Sequence, residues 1–276
     1  MIPNTLTIAG VDPSGGAGIL ADIKAMSALG AYGAAVVAAL TAQNTRGVTG
    51  IAPVTPEFVA QQIDTLFADV RIDAVKIGML GQQAVTRRVA ECLMHWRPAH
   101  IVLDPIMIAK SGDQLLEKAA INELRESLMP LATVVTPNLP EAGVLLEMAP
   151  VDNLKEMRRV AEKLRRLLND DGERWVFLKG GHLPGNDPTD ILHNGDQLFE
   201  LPGERIHTRN THGTGCTLSA ALAALLPQCA DLPLAARKAK AYLQEAIRHA
   251  DELQVGEGHG PVHHFHAWWQ PGQLPE

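Results

Sequence analysis

The segment Asn210-Thr211-His212-Gly213-Thr214-Gly215-Cys216 sets two glycines and a thiol directly ahead of an alanine- and leucine-rich run, Thr217 to Leu226. Glycine lets the backbone approach a ligand closely. Successive N–H groups at a helix start form an anion hole, and the helix dipole reinforces it. A helix N-terminus also lowers a thiol below its usual pKa of ~8.5, so the position predicts a Cys216 thiolate aimed at the reacting atoms. Taken alone, the segment equally fits a glycine-rich helix cap with a buried, inert cysteine.

Two other nucleotide motifs fail. Gly16-Ala17-Gly18-Ile19-Leu20-Ala21 matches the start of a dinucleotide fingerprint, which also requires an acid about 20 residues on for the ribose hydroxyls. No Asp or Glu occurs between Asp22 and Glu57. These glycines are then expected to form a tight turn with close helix packing. A Walker-type loop needs Gly-Lys, and the chain has no such dipeptide. Any ATP site must be built another way.

Short apolar runs alternate with helix-period runs and must position these groups. Strands are expected at Thr5 to Ala9, Ala34 to Leu40 (buried), Ala74 to Ile77, Ile101 to Leu103, Val134-Val135 and Trp175 to Leu178. Helices are expected where Ile19, Ile23 and Met26, and then Val59, Ile63 and Leu66, recur at helical spacing. Further helices are expected around 83–96, 115–129, 153–169, 214–226 and 233–253. Ile191 to Leu201 reads apolar, Asn194-Gly195, apolar, which predicts an antiparallel edge hairpin. The alternation predicts one α/β domain over 1–276, with a mostly parallel central sheet and helices on both faces. Ligands of such sheets bind beyond the carboxyl ends of the strands. Those ends carry Gly10-Val11-Asp12, Thr41 to Asn44, Gly78-Met79, Asp104, Thr136 to Glu141 and Lys179-Gly180-Gly181.

Net charge of −7 argues against nucleic acid or an anionic membrane as the main partner. The three cysteines, Cys92, Cys216 and Cys229, are scattered, which suits free thiols in a reducing cytoplasm. The start, Met1-Ile2-Pro3-Asn4, lacks signal-peptide character, and Leu218 to Pro227 is too short to span a bilayer. His263, His264 and His266 suggest a metal at first sight, but no Cys or acid stands near them in ligand spacing. With Trp268 and Trp269 beside them, a docked tail is expected instead of a zinc site.

Gly-Thr-Gly-Cys before a helix, with Asn138-x-x-Glu141 and Lys179-Gly180-Gly181 upstream, resembles the ribokinase superfamily. Most sugar kinases of that group carry Asp where Cys216 stands. The Cys version is similar to the hydroxymethylpyrimidine/phosphomethylpyrimidine kinases of thiamin synthesis. So are Ala9 to Gly18, Ala42 to Val48, Lys76 to Leu80, Ala109-Lys110-Ser111-Gly112, Thr136 to Glu141 and Gly260 to Phe265. Ile106 stands where Val is frequent in the family, and Ala34 where some members have Cys. The resemblance implies a three-layer ribokinase-like fold and transfer of phosphate from ATP, with Mg²⁺, to a small hydroxymethyl substrate and then to its monophosphate.

For individual residues, the resemblance implies that the amides of Gly213, Thr214, Gly215 and Cys216 hold the moving phosphoryl group, with Cys216 as base. Lys179, Asn138 and Thr211 would serve ATP and its phosphates. Glu141, organised with Asn138, and Asp104 would serve Mg²⁺ through water. Gln43 offers a donor and an acceptor side by side, as an aminopyrimidine edge does. Gly10, Asp22, Met79 and Ile106 would complete the substrate pocket. A homodimer is the family expectation. The rival readings are a pyridoxal kinase, a repair dehydratase of hydrated NAD(P)H on the same fold, and a nucleotide-binding regulator without catalysis.

Overall fold

The computed structural model describes residues 1–107 and 118–269. The motif Ala109-Lys110-Ser111-Gly112 and the start of the helix expected over 115–129 lie outside the described residues. In chain order the elements are β1 (Asn4–Val11), α1 (Gly18–Ala28), β2 (Tyr32–Asn44), β3 (Gly47–Pro53), α2 (Pro56–Phe67), β4 (Ala74–Ile77) and α3 (Gln83–Trp96). There follow β5 (Ile101–Leu103), α4 (Lys118–Glu123), β6 (Val134–Val135), α5 (Leu139–Leu145), α6 (Leu154–Arg165) and β7 (Trp175–Leu178). The last are β8 (Asp190–His193), β9 (Leu198–Leu201), α7 (Thr214–Leu225) and α8 (Leu232–Arg248).

Among the described residues the nine strands form one sheet in the order β3-β2-β1-β4-β5-β6-β7-β8-β9. From β2 to β7 all pairings are parallel. The expected edge hairpin is present as antiparallel β8 and β9, antiparallel also to β7. Its turn is held by Asn194, whose side-chain oxygen accepts from the amides of Asp196 (3.0 Å) and Gln197 (2.7 Å). A second antiparallel edge, β3 on β2, was not expected. Strand β2 is longer than expected and only partly buried, and β3 buries none of its residues. Leu40 and Ile51 stand exposed there.

Strand alternation sends side chains to two cores. Leu6, Ile8, Val75 and Ile77 pack with α2, α3, α5 and α6, while Ala74, Val102, Trp175 and Phe177 pack with α7 and α8. Helix α1 joins the second face through Ala25 and Met26 against Ala220 and Ala224. Helix α7 is buried from Cys216 through Leu225, so small residues all round it let α1, α8 and the sheet approach closely. The chain leaves β1 toward β2 on one side and returns on the other at β4. This reversal opens a crevice at the carboxyl ends of β1 and β4, where such folds bind ligands.

Candidate active site

The strand ends converge on one cleft of about 480 Å³, lined among others by Gly10, Gln43, Met79, Asp104, Ile106, Asn138, Glu141, Lys179 and Thr211 to Cys216. At one end stands the start of α7. Gly213 caps it in the left-handed region with φ of 76°, and no side chain caps the first amides. A Cβ on Gly213 would lie 1.8 Å from the carbonyl oxygen of Gly16, so only glycine fits. A Cβ on Gly215 would lie 3.3 Å from Lys179 Nζ and 3.5 Å from Asp104 Oδ2. The first turn of α7 thus faces the charged wall directly.

That wall is a short ionic network. Asp104 Oδ1 accepts from Lys179 Nζ (3.0 Å) and Thr136 Oγ1 (3.1 Å), and its Oδ2 accepts from Ser219 Oγ (3.2 Å). Asn138 and Glu141 form a capping box at the start of α5. The Glu141 amide donates to Asn138 Oδ1, and the Asn138 amide donates to Glu141 Oε2, both at 2.8 Å. Lys179 Nζ lies 3.8 Å from that same Glu141 oxygen. Burial pushes the Glu141 carboxyl up to about 7, with Lys179 opposing and Asp104 adding to the rise. Burial pulls Lys179 down, but Asp104 and Glu141 outweigh it and hold the ammonium above its ordinary value.

The other end of the cleft is softer. Gln43 Oε1 lies 3.1 Å from Thr41 Oγ1, which is itself held by the Val11 carbonyl at 2.9 Å. The Met79 methyl fills the space a Gly10 side chain would need, 2.6 Å from a Cβ there. Gly10 is therefore bare so that Met79 can form a wall.

Three distant segments meet around the start of α7. Asp12 Oδ2 bonds His212 Nε2 at 2.7 Å and accepts the Ala17 amide at 3.0 Å. The His212 ring occupies the position of a Gly16 side chain. From the other side the His212 amide donates to the Gly260 carbonyl (3.0 Å), and the Gly260 amide donates to Asn210 Oδ1 (3.1 Å). The same tail straps the β2–β3 turn, with the Gly258 amide donating to Thr45 Oγ1 (3.1 Å) and the His259 amide to the Thr45 carbonyl (2.8 Å).

Comparison with known proteins decides the family. The family model described as phosphomethylpyrimidine kinase matches residues 12–263. The chain belongs to this family. It is 51% identical over 268 residues to the hydroxymethylpyrimidine/phosphomethylpyrimidine kinase of Escherichia coli K12, covering 96% of this chain and 98% of that one. Among solved structures, the phosphomethylpyrimidine kinase of Clostridium difficile 630 matches with a TM-score of 0.77 and 38% identity, over 89% of this chain and 99% of the other. The ADP complex of Bacillus subtilis pyridoxal kinase matches with a TM-score of 0.87 and 32% identity, over 96% and 98%. The fold is therefore the ribokinase-like one.

Within this family fold, two expectations need correction. Burial pushes the Cys216 thiol up to about 11, with Asp22 and Asp104 adding to the rise while Lys76 and a Gly18 amide oppose it. The helix terminus does not outweigh the dry surroundings, so the resting group is a thiol. Asp22 does not line the cleft. It is fully buried beneath it, where its Oδ2 accepts from Thr7 Oγ1 (2.6 Å) and Lys76 Nζ (2.8 Å). The cleft-lining group at that place is Lys76.

Asp12, expected at its strand end, lines the cleft, as do Lys76 and His182, which were given no role from the sequence. A lysine inside an apolar strand, Ala74-Val75-Lys76-Ile77, was the available signal, because a fully buried ammonium demands a partner. The tail docks as expected. Tyr242 donates its hydroxyl to the His264 carbonyl (2.7 Å), Thr217 Oγ1 pairs with His264 Nε2 (3.0 Å), and burial drives His264 down to about 3. Among the described residues no group of three or more His, Cys, Asp or Glu is placed to hold a metal ion.

Proposed function

We propose that this chain phosphorylates 4-amino-5-hydroxymethyl-2-methylpyrimidine from Mg-ATP, first to the monophosphate and then to the diphosphate, for thiamin synthesis. One observation carries the reading. The uncapped start of α7, ending in Cys216, faces Lys179, Asp104 and Glu141 across a cleft whose other end offers Gln43 and Met79. A charged transfer site and an apolar pocket with one amide are thereby joined within a single cavity.

Phosphoryl transfer passes through a loose transition state and needs positioning and charge neutralisation more than covalent help. The amides of Gly213 to Cys216 take the equatorial phosphoryl oxygens, and Lys179 offsets their charge. Thr211 and Asn138 contact the ATP phosphates. Gln43 reads the aminopyrimidine edge, and Met79 and Ile106 pack on the ring. Cys216, once its thiol has released a proton to solvent, accepts the hydroxymethyl proton in the first step as the thiolate.

The residues fit Mg²⁺. It takes hard oxygen ligands and keeps several waters, and Asp104 and Glu141 supply carboxylate oxygens in one wall. Mg²⁺, when bound, supplies charge neutralisation on the phosphates. The chain acts as one kinase domain in the cytoplasm. It pairs as a homodimer through the β2–β3 edge, where Leu40 and Ile51 are exposed.

The test is ADP release with hydroxymethylpyrimidine, with pyridoxal, or with no acceptor. Turnover strongest with hydroxymethylpyrimidine, continuing to the diphosphate, supports the reading. Preference for pyridoxal, or ATP hydrolysis indifferent to acceptor, overturns it.

A further inference from the structure

Lys76 is completely buried yet lines the cleft. On β4, Val75 and Ile77 belong to one core and Ala74 to the other, so Lys76 projects onto the face covered by α1 and α7. Its ammonium reaches along that face past Gly78, where a Cβ would lie only 2.7 Å from Nζ. Glycine at 78 therefore leaves the channel through which the lysine extends beneath the catalytic loop. There Nζ meets Asp22 Oδ2 of α1 at 2.8 Å. Asp22 Oδ1, also buried, has no hydrogen-bond partner.

A buried ion pair is expensive and rarely retained for stability alone. Asp22, itself held by Thr7, fixes this cation at 2.8 Å, and Lys76 and Cys216 line the same cleft. The groups whose charges act on the thiol come from every neighbouring element: Lys76 from β4, Asp22 from α1, Asp104 from the end of β5 and Lys179 from the end of β7. Lys179 is committed to Asp104 and Glu141 on the phosphate wall. Lys76 is left as the cation on the floor.

We propose that Lys76 is a positioning residue for the first transfer: it supplies the fixed positive charge that lets the Cys216 thiol release its proton to solvent and stand as the thiolate that takes the hydroxymethyl proton, and Asp22 both anchors and restrains it. The inference deepens the proposed kinase reading and rests on Cys216 acting as the base. The two carry opposite signs. Removing the Lys76 charge should suppress the thiolate, and removing the Asp22 charge should promote it. A merely structural ion pair would make both changes harmful in the same direction.

The experiment is peptide-resolved alkylation of the ligand-free full-length protein with iodoacetamide at fixed pH, with Cys92 and Cys229 as internal references. A neighbouring charge moves an ionisation by one unit or more, so Lys76→Met should slow Cys216 alkylation by about tenfold or more, and Asp22→Asn should speed it comparably. Cys229 should keep its rate. Because Lys76→Met strands a buried carboxylate, Asp22→Asn/Lys76→Met is compared with Asp22→Asn as well; the added lysine change should cost the same factor. Lys76→Arg should retain most of the wild-type rate. With kinase activity, Lys76→Met should lower kcat for the hydroxymethyl acceptor far more than for its monophosphate. Equal Cys216 rates in Asp22→Asn and the double variant, or slowing by Asp22→Asn, overturns the proposal. The alkylation rates do not depend on the acceptor, so a wrong substrate assignment would leave this result intact.

Discussion

At the scale of single residues, the thiol at position 216 is governed by burial and not by its helix. If its thiolate serves as the proposed base, Cys216→Ala should cut the first transfer strongly while leaving the fold intact, because the backbone amides remain. Near-normal turnover, measured as ADP release, would make the thiol a packing group. Cys216→Asp, the residue that sugar kinases of the superfamily carry, should retain part of the activity. Gln43→Ala should weaken pyrimidine binding by roughly 1–3 kcal/mol and leave ATP binding nearly unchanged. Calorimetric titration of each ligand separates the two effects. The residue types were legible because glycines and polar groups gather at strand ends. The state of Cys216 and the depth of Asp22 were not, because both depend on how α1 and α7 pack, and local spacing does not encode packing depth.

At the scale of elements, the start of α5 serves two purposes. The Asn138–Glu141 pair is a capping box and also the edge of the charged wall. Glu141→Gln preserves an acceptor for the Asn138 amide, so α5 should survive while the Mg²⁺ concentration needed for activity rises. An unchanged Mg²⁺ titration would assign the metal shell to Asp104. The pH dependence has a definite sign. The folded Glu141 value of about 7 exceeds its ordinary 4.5, so the folded protein holds the extra proton between those limits. Stability of the ligand-free protein should therefore fall as pH rises from about 4.5 to 7, and Glu141→Gln should flatten that decline in melting temperature. Most elements could be read from apolar periodicity, since β4, β5 and α3 have the expected bounds. Strand β3 escaped because Gly47, Gly50 and Pro53 interrupt it and neither face is buried, so no alternation marks it. The β8–β9 hairpin was visible because Asn194-Gly195 carries its turn chemistry in the sequence.

At the scale of the whole molecule, one cleft must serve both transfers. The described residues offer one uncapped helix start of the Gly213-to-Cys216 kind in the cleft, so on the proposed reading the monophosphate must lie where the alcohol lay. Its phosphate oxygen is already deprotonated at neutral pH and needs no base. Cys216→Ala should accordingly damage the first transfer more than the second, each measured from its own purified acceptor. Equal losses would show that Cys216 acts through geometry or charge. An enzyme that stops at the monophosphate would favour a pyridoxal-type activity. The cleft's general place was legible from the strand ends, but the partnership of Asp12 with His212, 200 residues apart, was not. Only the closed fold brings them together.

The strap from Gly256 to His264 has a consequence in the order of biosynthesis. Ribosomes deliver the chain from its N-terminus, and contacts between distant segments form late. The Asn210–His212 loop is held by Gly260, and the Thr45 turn by Gly258 and His259. Both walls of the cleft therefore wait for the same late-made segment. A nascent chain can pair its central strands early, yet the loop ahead of α7 gains its bonds to the tail only after nearly all of the chain has emerged.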